Sequence, residues 1–319
     1  MSISTKRSLF ERFSEQVDMH QTPMYAQVMR DLGWLVIGKP GAQTFVRKIG
    51  PVAVAKIQRP STFNLEELDE IRRKYRTILM QIEPSLSMKV GQKLIKFPQT
   101  YDKQADISQW INQMKVVGLT KHVSPLAHSA TSIIDLSLSE KELLTKMKRS
   151  TRYNIGLAKR NKNLTIYTIS LRKFTQKNRE DFFQVLTEWS KRKGIYGFES
   201  KLMSAVLSAF NAESWCHFGE IDGRLESIVL ILKFGKVMFY YCAVSSEKGY
   251  SYRMPTALVW EAIITGKKLG CEFFDLGGIY DPRYPNMYKR WNGFTTFKEG
   301  FEPIPFLYPR SFRLRTGWW

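Results

Sequence analysis

Short apolar runs broken by glycine open the chain. GWLVIG, QTFVRKIG and VAVAKIQ, from Gly33 to Gln58, predict three β-branched strands with glycine turns between them. NLEELDEIRRKYRTILMQI then carries apolar residues at helical spacing and predicts one helix from Asn64 to Ile82. A second helix is expected over DISQWINQMKVVG, ending at Gly118, before strand character returns in TSIIDLSLS. In SEKELLTKMK the S-x-x-E arrangement predicts a capping box, Ser139 accepting from the backbone and Glu142 reciprocating. Thr151 is expected to cap the next helix, through about Lys159. NLTIYTIS predicts a strand, REDFFQVLTEWSKRKG and ESKLMSAVLSAFN predict amphipathic helices, and Cys216 to Ser245 predicts three antiparallel strands turning at Asp222-Gly223 and Gly235. The helix PTALVWEAIITGKKLG, the strand CEFFDLGG, an aromatic loop and a strand FTTFKEGF complete the order.

Composition changes this picture in two ways. The 319 residues are long for one core and comfortable for two. The boundaries expected are 1–138 for a first domain and 139–309 for a second that carries the catalytic motifs, with the tail 310–319 packing on the first. The 49 Lys plus Arg outnumber the 29 Asp plus Glu for a formal charge of +20, which calls for a polyanionic partner: nucleic acid, an anionic membrane face or a phosphorylated substrate. Cys216, Cys242 and Cys271 are too scattered for a disulfide framework or a metal cluster, so a reducing compartment is expected and no metal or other cofactor. No run is long and apolar enough to predict a signal peptide or a membrane span, and the expected location is cytoplasmic.

The two β-rich, helix-flanked halves resemble the GNAT acyltransferase fold in order of elements, which makes the expected class α+β with two tandem GNAT-like domains. A coenzyme A thioester needs glycine where backbone N–H groups meet the pyrophosphate. YRMPTAL stands at that place, its Pro255 removing a donor, so another acyl donor is expected.

SIIDLSLSEKELLTKMKRSTRYNIGLAKRN, followed in order by MPTALVWEAI, GCEFFDLGGI and FTTFKEGF and preceded by MQIEP, resembles the Fem family of peptidoglycan bridge-forming peptidyltransferases from about Gln21 to Phe312. The resemblance implies transfer of an amino acid from aminoacyl-tRNA to a side-chain amine on the stem peptide of a UDP-linked or lipid-linked muropeptide. With no heptad hairpin, the chain is similar to the compact members without a coiled-coil arm. EPIPFLYP after FKEGF departs from the Gly-rich ending common in the family.

The same resemblance places Lys298 and Phe297 at the catalytic centre. A fixed cation there stabilises the oxyanion of ester aminolysis, and the plain alternative is a lysine alternating outward on a strand. Phe297 either contributes its backbone or a stacking face, or is a core aromatic. Asp275 either orients the attacking ammonium or accepts its proton, or else makes an Asx-type turn with Gly277 and Gly278. Lys148, Arg149, Arg152, Lys159 and Arg160 crowd two helical segments where like charges repel, which points to tRNA or to the diphosphate of the precursor, with Arg152 at a helix start. Arg30 and Lys201 are candidates for that diphosphate or plain surface charge. Tyr240, Tyr241 and Tyr250 are candidates for the muropeptide or for the core. The tail PRSFRLRTGWW fits domain packing, RNA or peripheral contact with the inner membrane face. Two other functions stay open: an acyl-CoA-dependent N-acyltransferase and a non-catalytic RNA-binding protein. The residues leave the amino acid transferred and the oligomeric state open.

Overall fold

The computed structural model describes residues 7–97, 112, 119–194 and 200–314. Apart from Asn112, the helix expected up to Gly118 lies outside them, as do the tryptophans at the C-terminus. The chain divides into two compact units: Met1–Thr131 with Asp281–Asn286 and Phe306–Trp319, and Ser132–Tyr280 with Met287–Pro305.

The first unit begins with α1 (Leu9–Ser14) and α2 (Pro23–Asp31), then β1 (Leu35–Ile37), β2 (Thr44–Ile49), β3 (Val52–Gln58), β4 (Thr62–Phe63), α3 (Leu65–Tyr75), β5 (Thr77–Glu83), β6 (Ser87–Val90), β7 (Lys93–Lys96) and β8 (Leu119–Val123). Its main sheet runs β1-β2-β3-β5-β16-β8, where β16 is Ser311–Leu314, and β4, β6 and β7 form a small separate sheet. The single helix expected from Asn64 to Ile82 is corrected: it stops at Arg76, whose left-handed backbone (φ 51, ψ 48) ends the ladder, and TILMQIE becomes β5. A continuous aliphatic run fits a buried strand as well as a helix, and burial of Met80 and Ile82 at 0% exposure decides for the strand.

The second unit holds β9 (Ala130–Asp135), α4 (Glu140–Lys146), α5 (Arg149–Arg160), β10 (Leu164–Ser170), α6 (Gln176–Lys193), α7 (Ser200–Ala209), β11 (Ser214–Ile221), β12 (Arg224–Phe234), β13 (Val237–Ser245), α8 (Glu247–Ser251), α9 (Met254–Lys268) and β14 (Phe273–Gly278). After α10 (Pro285–Tyr288) come α11 (Asn292–Glu299) and β15 (Ile304–Leu307), and the sheet order is β10-β11-β12-β13-β14-β9-β15. The capping box forms as expected, with Glu142 N–H donating to Ser139 Oγ (3.2 Å) and Ser139 N–H to the Glu142 carboxylate (2.7 Å). The hairpins turn where expected, with positive φ at Asp222, Gly223 and Gly235. Met254, Leu258, Val259 and Trp260 of α9 sink to 1% exposure or less against Val229, Ile231 and Met238 of the sheet. Each such side chain contributes about 1.5–3 kcal/mol.

Two expectations fail here. Thr151 does not cap a helix: α5 starts at Arg149 with Lys148 at its N-cap, and Thr151 is buried inside the first turn. It packs on Gly300, where an added Cβ would come within 2.4 Å of Thr151 Oγ1. FTTFKEGF is not a strand: Asn292–Glu299 is helical, and Phe294, Phe297 and Phe301 recur at i, i+3 and i+7, a helical spacing that the β propensity of Phe and Thr obscured. Among the described residues no helix exceeds the 18 residues of α6 and none forms a coiled-coil arm. None of them is long and apolar enough to cross a membrane.

Candidate functional site

Parallel strands β13 and β14 pair only at Val237↔Phe273, Met238↔Phe274 and Phe239↔Asp275, and then part. On its other edge β13 carries a bulge: Leu230 faces Cys242 and Ile231 faces Tyr240, which leaves Tyr241 as the extra residue. A bulge bends and twists its strand, here beside the point of parting. On the β14 side Asp275 is 4% exposed and its Oδ1 accepts from Gly277 N–H at 2.8 Å, the turn contact weighed above. Gly277 sits at φ 71, a backbone conformation that strains other residues, and its missing Cβ would lie 3.5 Å from the Phe239 ring and from Tyr240 O.

Lys298 reaches this parting from α11. Its Nζ donates to Gly278 O at 2.6 Å, and the ammonium lies 4.9 Å from the Phe294 ring and 5.9 Å from the Tyr240 ring. At 6% exposure, burial pushes its pKa down to about 8, against the opposing pull of the Asp275 carboxylate. One of the three ammonium donors is held by a backbone carbonyl, and the aromatic faces favour the charge that burial disfavours. Lys298, Asp275 and Tyr240 are thus brought together.

Neither a protein-family model nor a curated protein sequence matches the chain. Among solved structures it is similar to FemX, at 14% identity over 98% of this chain and 97% of that one, with a TM-score of 0.74. It is also similar to the C-terminal domain of a putative lysylphosphatidylglycerol synthetase from Agrobacterium fabrum (14% identity, 97% and 92% covered, TM-score 0.60) and to L-PGS from Bacillus licheniformis (14%, 97% and 92%, TM-score 0.59). The chain has the fold of FemX. The Fem resemblance read from the residues therefore holds as a likeness of fold, and the mixed α+β class expected from the sequence stands.

On this FemX-like frame the other candidates fall in separate places. Phe297 is half-buried against the second unit's core, its ring edge-on to Phe301 at 5.6 Å. Tyr241 is half-buried at the bulge, and Tyr250 lies on α8, 45% exposed, with the Lys193 ammonium 5.9 Å from its ring. Arg30 is exposed in the last turn of α2 in the first unit, and Lys201 is exposed on α7 in the second.

The basic stretch divides. Lys148 faces Glu299 at 3.7 Å, and Lys159 faces Glu261 at 3.9 Å with its ammonium 5.8 Å from the Trp260 ring. Arg152 folds back to donate to Thr145 O (3.1 Å) and Met147 O, closing the end of α4. Arg149 and Arg160 are exposed and have no acidic partner among the described residues. The helix begins beside the Lys298 element, since Lys148 N–H donates to Gly300 O at 3.0 Å.

In the first turn of α9, Met254, Thr256 and Ala257 are buried and Pro255 has no N–H to offer a phosphate. The sequence reading missed Phe294 beside Lys298, although FxxFK at helical spacing was the available signal.

Proposed function

We propose that the chain is an aminoacyltransferase of the Fem type, moving an amino acid from aminoacyl-tRNA to the side-chain amine of a peptidoglycan precursor. The observation that carries this reading is the buried Lys298 ammonium, held on Gly278 O where β13 and β14 part, in a chain with the FemX fold. The amine nitrogen attacks the ester carbonyl, a C–N bond forms, the C–O bond to the ribose breaks, and the amine's proton leaves with the ribose hydroxyl. Negative charge gathers on the former carbonyl oxygen in between. The two Lys298 donors not engaged by Gly278 O suit that oxygen, and such a preorganised cation acts mainly in the transition state. Asp275 supports the charged form of Lys298 and takes no covalent part. In this reading Arg149 and Arg160 meet RNA phosphates, and Tyr240 and Tyr241 line the acceptor's approach.

The test is a transfer reaction with charged glycyl-, alanyl- or seryl-tRNA and a UDP-linked or lipid-linked muropeptide, read by product mass. Ribonuclease should abolish the product and added coenzyme A should not compete. Product that survives ribonuclease and is supported by acetyl-CoA would overturn the assignment.

A further inference from the structure

From Tyr288 onward an aromatic residue recurs at every third position: Tyr288, Trp291, Phe294 and Phe297. The Tyr288 and Trp291 rings lie 4.5 Å apart and the Trp291 and Phe294 rings 5.1 Å apart, and the Phe294 ring is 4.9 Å from Lys298 Nζ. The row runs from an anchored end to an open one, with Tyr288 at 2% exposure and Phe294 at 38%. Beside it Gly293 is exposed and an added Cβ there would meet nothing within 4 Å, so the surface next to the rings is open. Lys289 and Arg290 are exposed between the first two rings and have no acidic partner among the described residues. The sequence has no acidic residue from Pro282 to Lys298.

An exposed phenyl ring in a row that ends on a buried ammonium serves packing poorly. Aromatic faces beside cations are what unpaired nucleotides bind, bases on the rings and phosphates on the cations. A membrane surface would need a broader apolar face than two exposed side chains, Met287 and Phe294, supply.

We infer that Tyr288, Trp291 and Phe294, with Lys289 and Arg290, form a stacking platform for the unpaired 3′ end of an RNA donor, delivering its terminal ester to Lys298. This rests on the aminoacyl-tRNA reading and gives the donor's end its place. Phe294 stacks on the terminal bases, Lys289 and Arg290 meet their phosphates, and Tyr288 anchors the row.

The experiment measures binding of uncharged tRNA, intact or trimmed of its unpaired 3′ nucleotides, to the full chain. The parent should prefer the intact RNA. Phe294→Ala should weaken intact tRNA about 5- to 100-fold, the worth of one stacked base, and leave trimmed tRNA unchanged. Phe294→Trp should restore the preference and Phe294→Leu should not. Lys289→Ala with Arg290→Ala should flatten the log-log salt slope by about 1.4, at about 0.7 per single-strand contact. The platform is overturned if Phe294→Ala binds intact tRNA like the parent, if Phe294→Leu restores binding fully, or if the variant loses the muropeptide precursor instead of RNA. Should it fail while ribonuclease still abolishes transfer, the donor reading survives without it. A parent that binds no tRNA and transfers after ribonuclease treatment would bring down both.

Discussion

In each unit a helical crossover joins parallel neighbours of the main sheet, β3 to β5 in the first and β13 to β14 in the second, and the two end differently. In the first unit β3 and β5 stay paired from Ala53↔Thr77 to Gln58↔Glu83, and Arg59 N–H extends the pairing to Glu83 O at 2.6 Å. The buried Glu83 carboxylate then accepts from Leu126 N–H, Ala127 N–H (3.1 Å), Ser311 Oγ (3.2 Å) and Gln58 Nε2 (3.3 Å). Beside it the Arg59 guanidinium meets Asp18 at 3.0 Å and lies 3.4 Å from the Tyr308 ring. In the second unit β13 and β14 part after Phe239↔Asp275, and Gly278 O, free of a strand partner on that side, holds a lysine. Where strands stay paired, the backbone satisfies itself and a buried charge is spent on structure. Where they part, a buried ammonium rests on a backbone carbonyl, and in the proposed mechanism that ammonium meets the substrate.

The sharpest way to break this comparison is at Lys298. Lys298→Met should lower turnover about 10²- to 10³-fold with donor binding nearly unchanged, and a loss below about threefold would remove the residue from the mechanism. Because its pKa lies near 8, below the ordinary lysine value, the charged form is lost as pH rises through that value. kcat/KM should therefore fall about tenfold per unit above pH 8, on a limb that Lys298→Arg removes because guanidinium keeps its charge. A profile without that limb in the parent would mean that the charge of Lys298 is not used.

At the closed crossover the expectation is reversed. Glu83→Ala leaves the Leu126 and Ala127 N–H groups without their acceptor and should cost about 2–3 kcal/mol of stability, read from the denaturant midpoint, with turnover per folded molecule unchanged. An unchanged midpoint, or turnover lost without a stability change, would erase the distinction between the two crossovers.

The smallest effect sharpens the comparison within α5. Arg149→Ala with Arg160→Ala should flatten the salt slope of tRNA binding by about 1.4 to 1.8. Lys148→Ala with Lys159→Ala should flatten it by less than about half as much, because those ammoniums already face Glu299 and Glu261. Equal slopes for the two double variants would show that internal pairing does not sort these cations.

What the sequence alone determined is what neighbouring residues decide among themselves. The Ser139–Glu142 box, the Asp222-Gly223 turn and the glycine stop at Gly194 are fixed within a few residues, so their signals are legible. The order of elements was enough to reach the mixed α+β class, while Lys298 was singled out by the resemblance to the Fem family and not by any local pattern. The tertiary structure decided the rest. TILMQIE is a strand because β3 and β16 flank it, and FTTFKE is a helix because Phe297 packs into the core while Lys298 turns to Gly278. The pairing of β13 with β14 ends at Phe239↔Asp275, beside the bulge at Tyr241, and neither feature is marked in the local sequence. Equally, Lys148 and Lys159 are indistinguishable from Arg149 and Arg160 until their partners are seen, and Arg152, expected at a helix start, lies inside α5 and folds back onto α4. Burial, a lowered pKa and a carbonyl twenty residues away are non-local quantities. Local pattern carries no record of them, since it is chain folding that brings those groups together and takes water away.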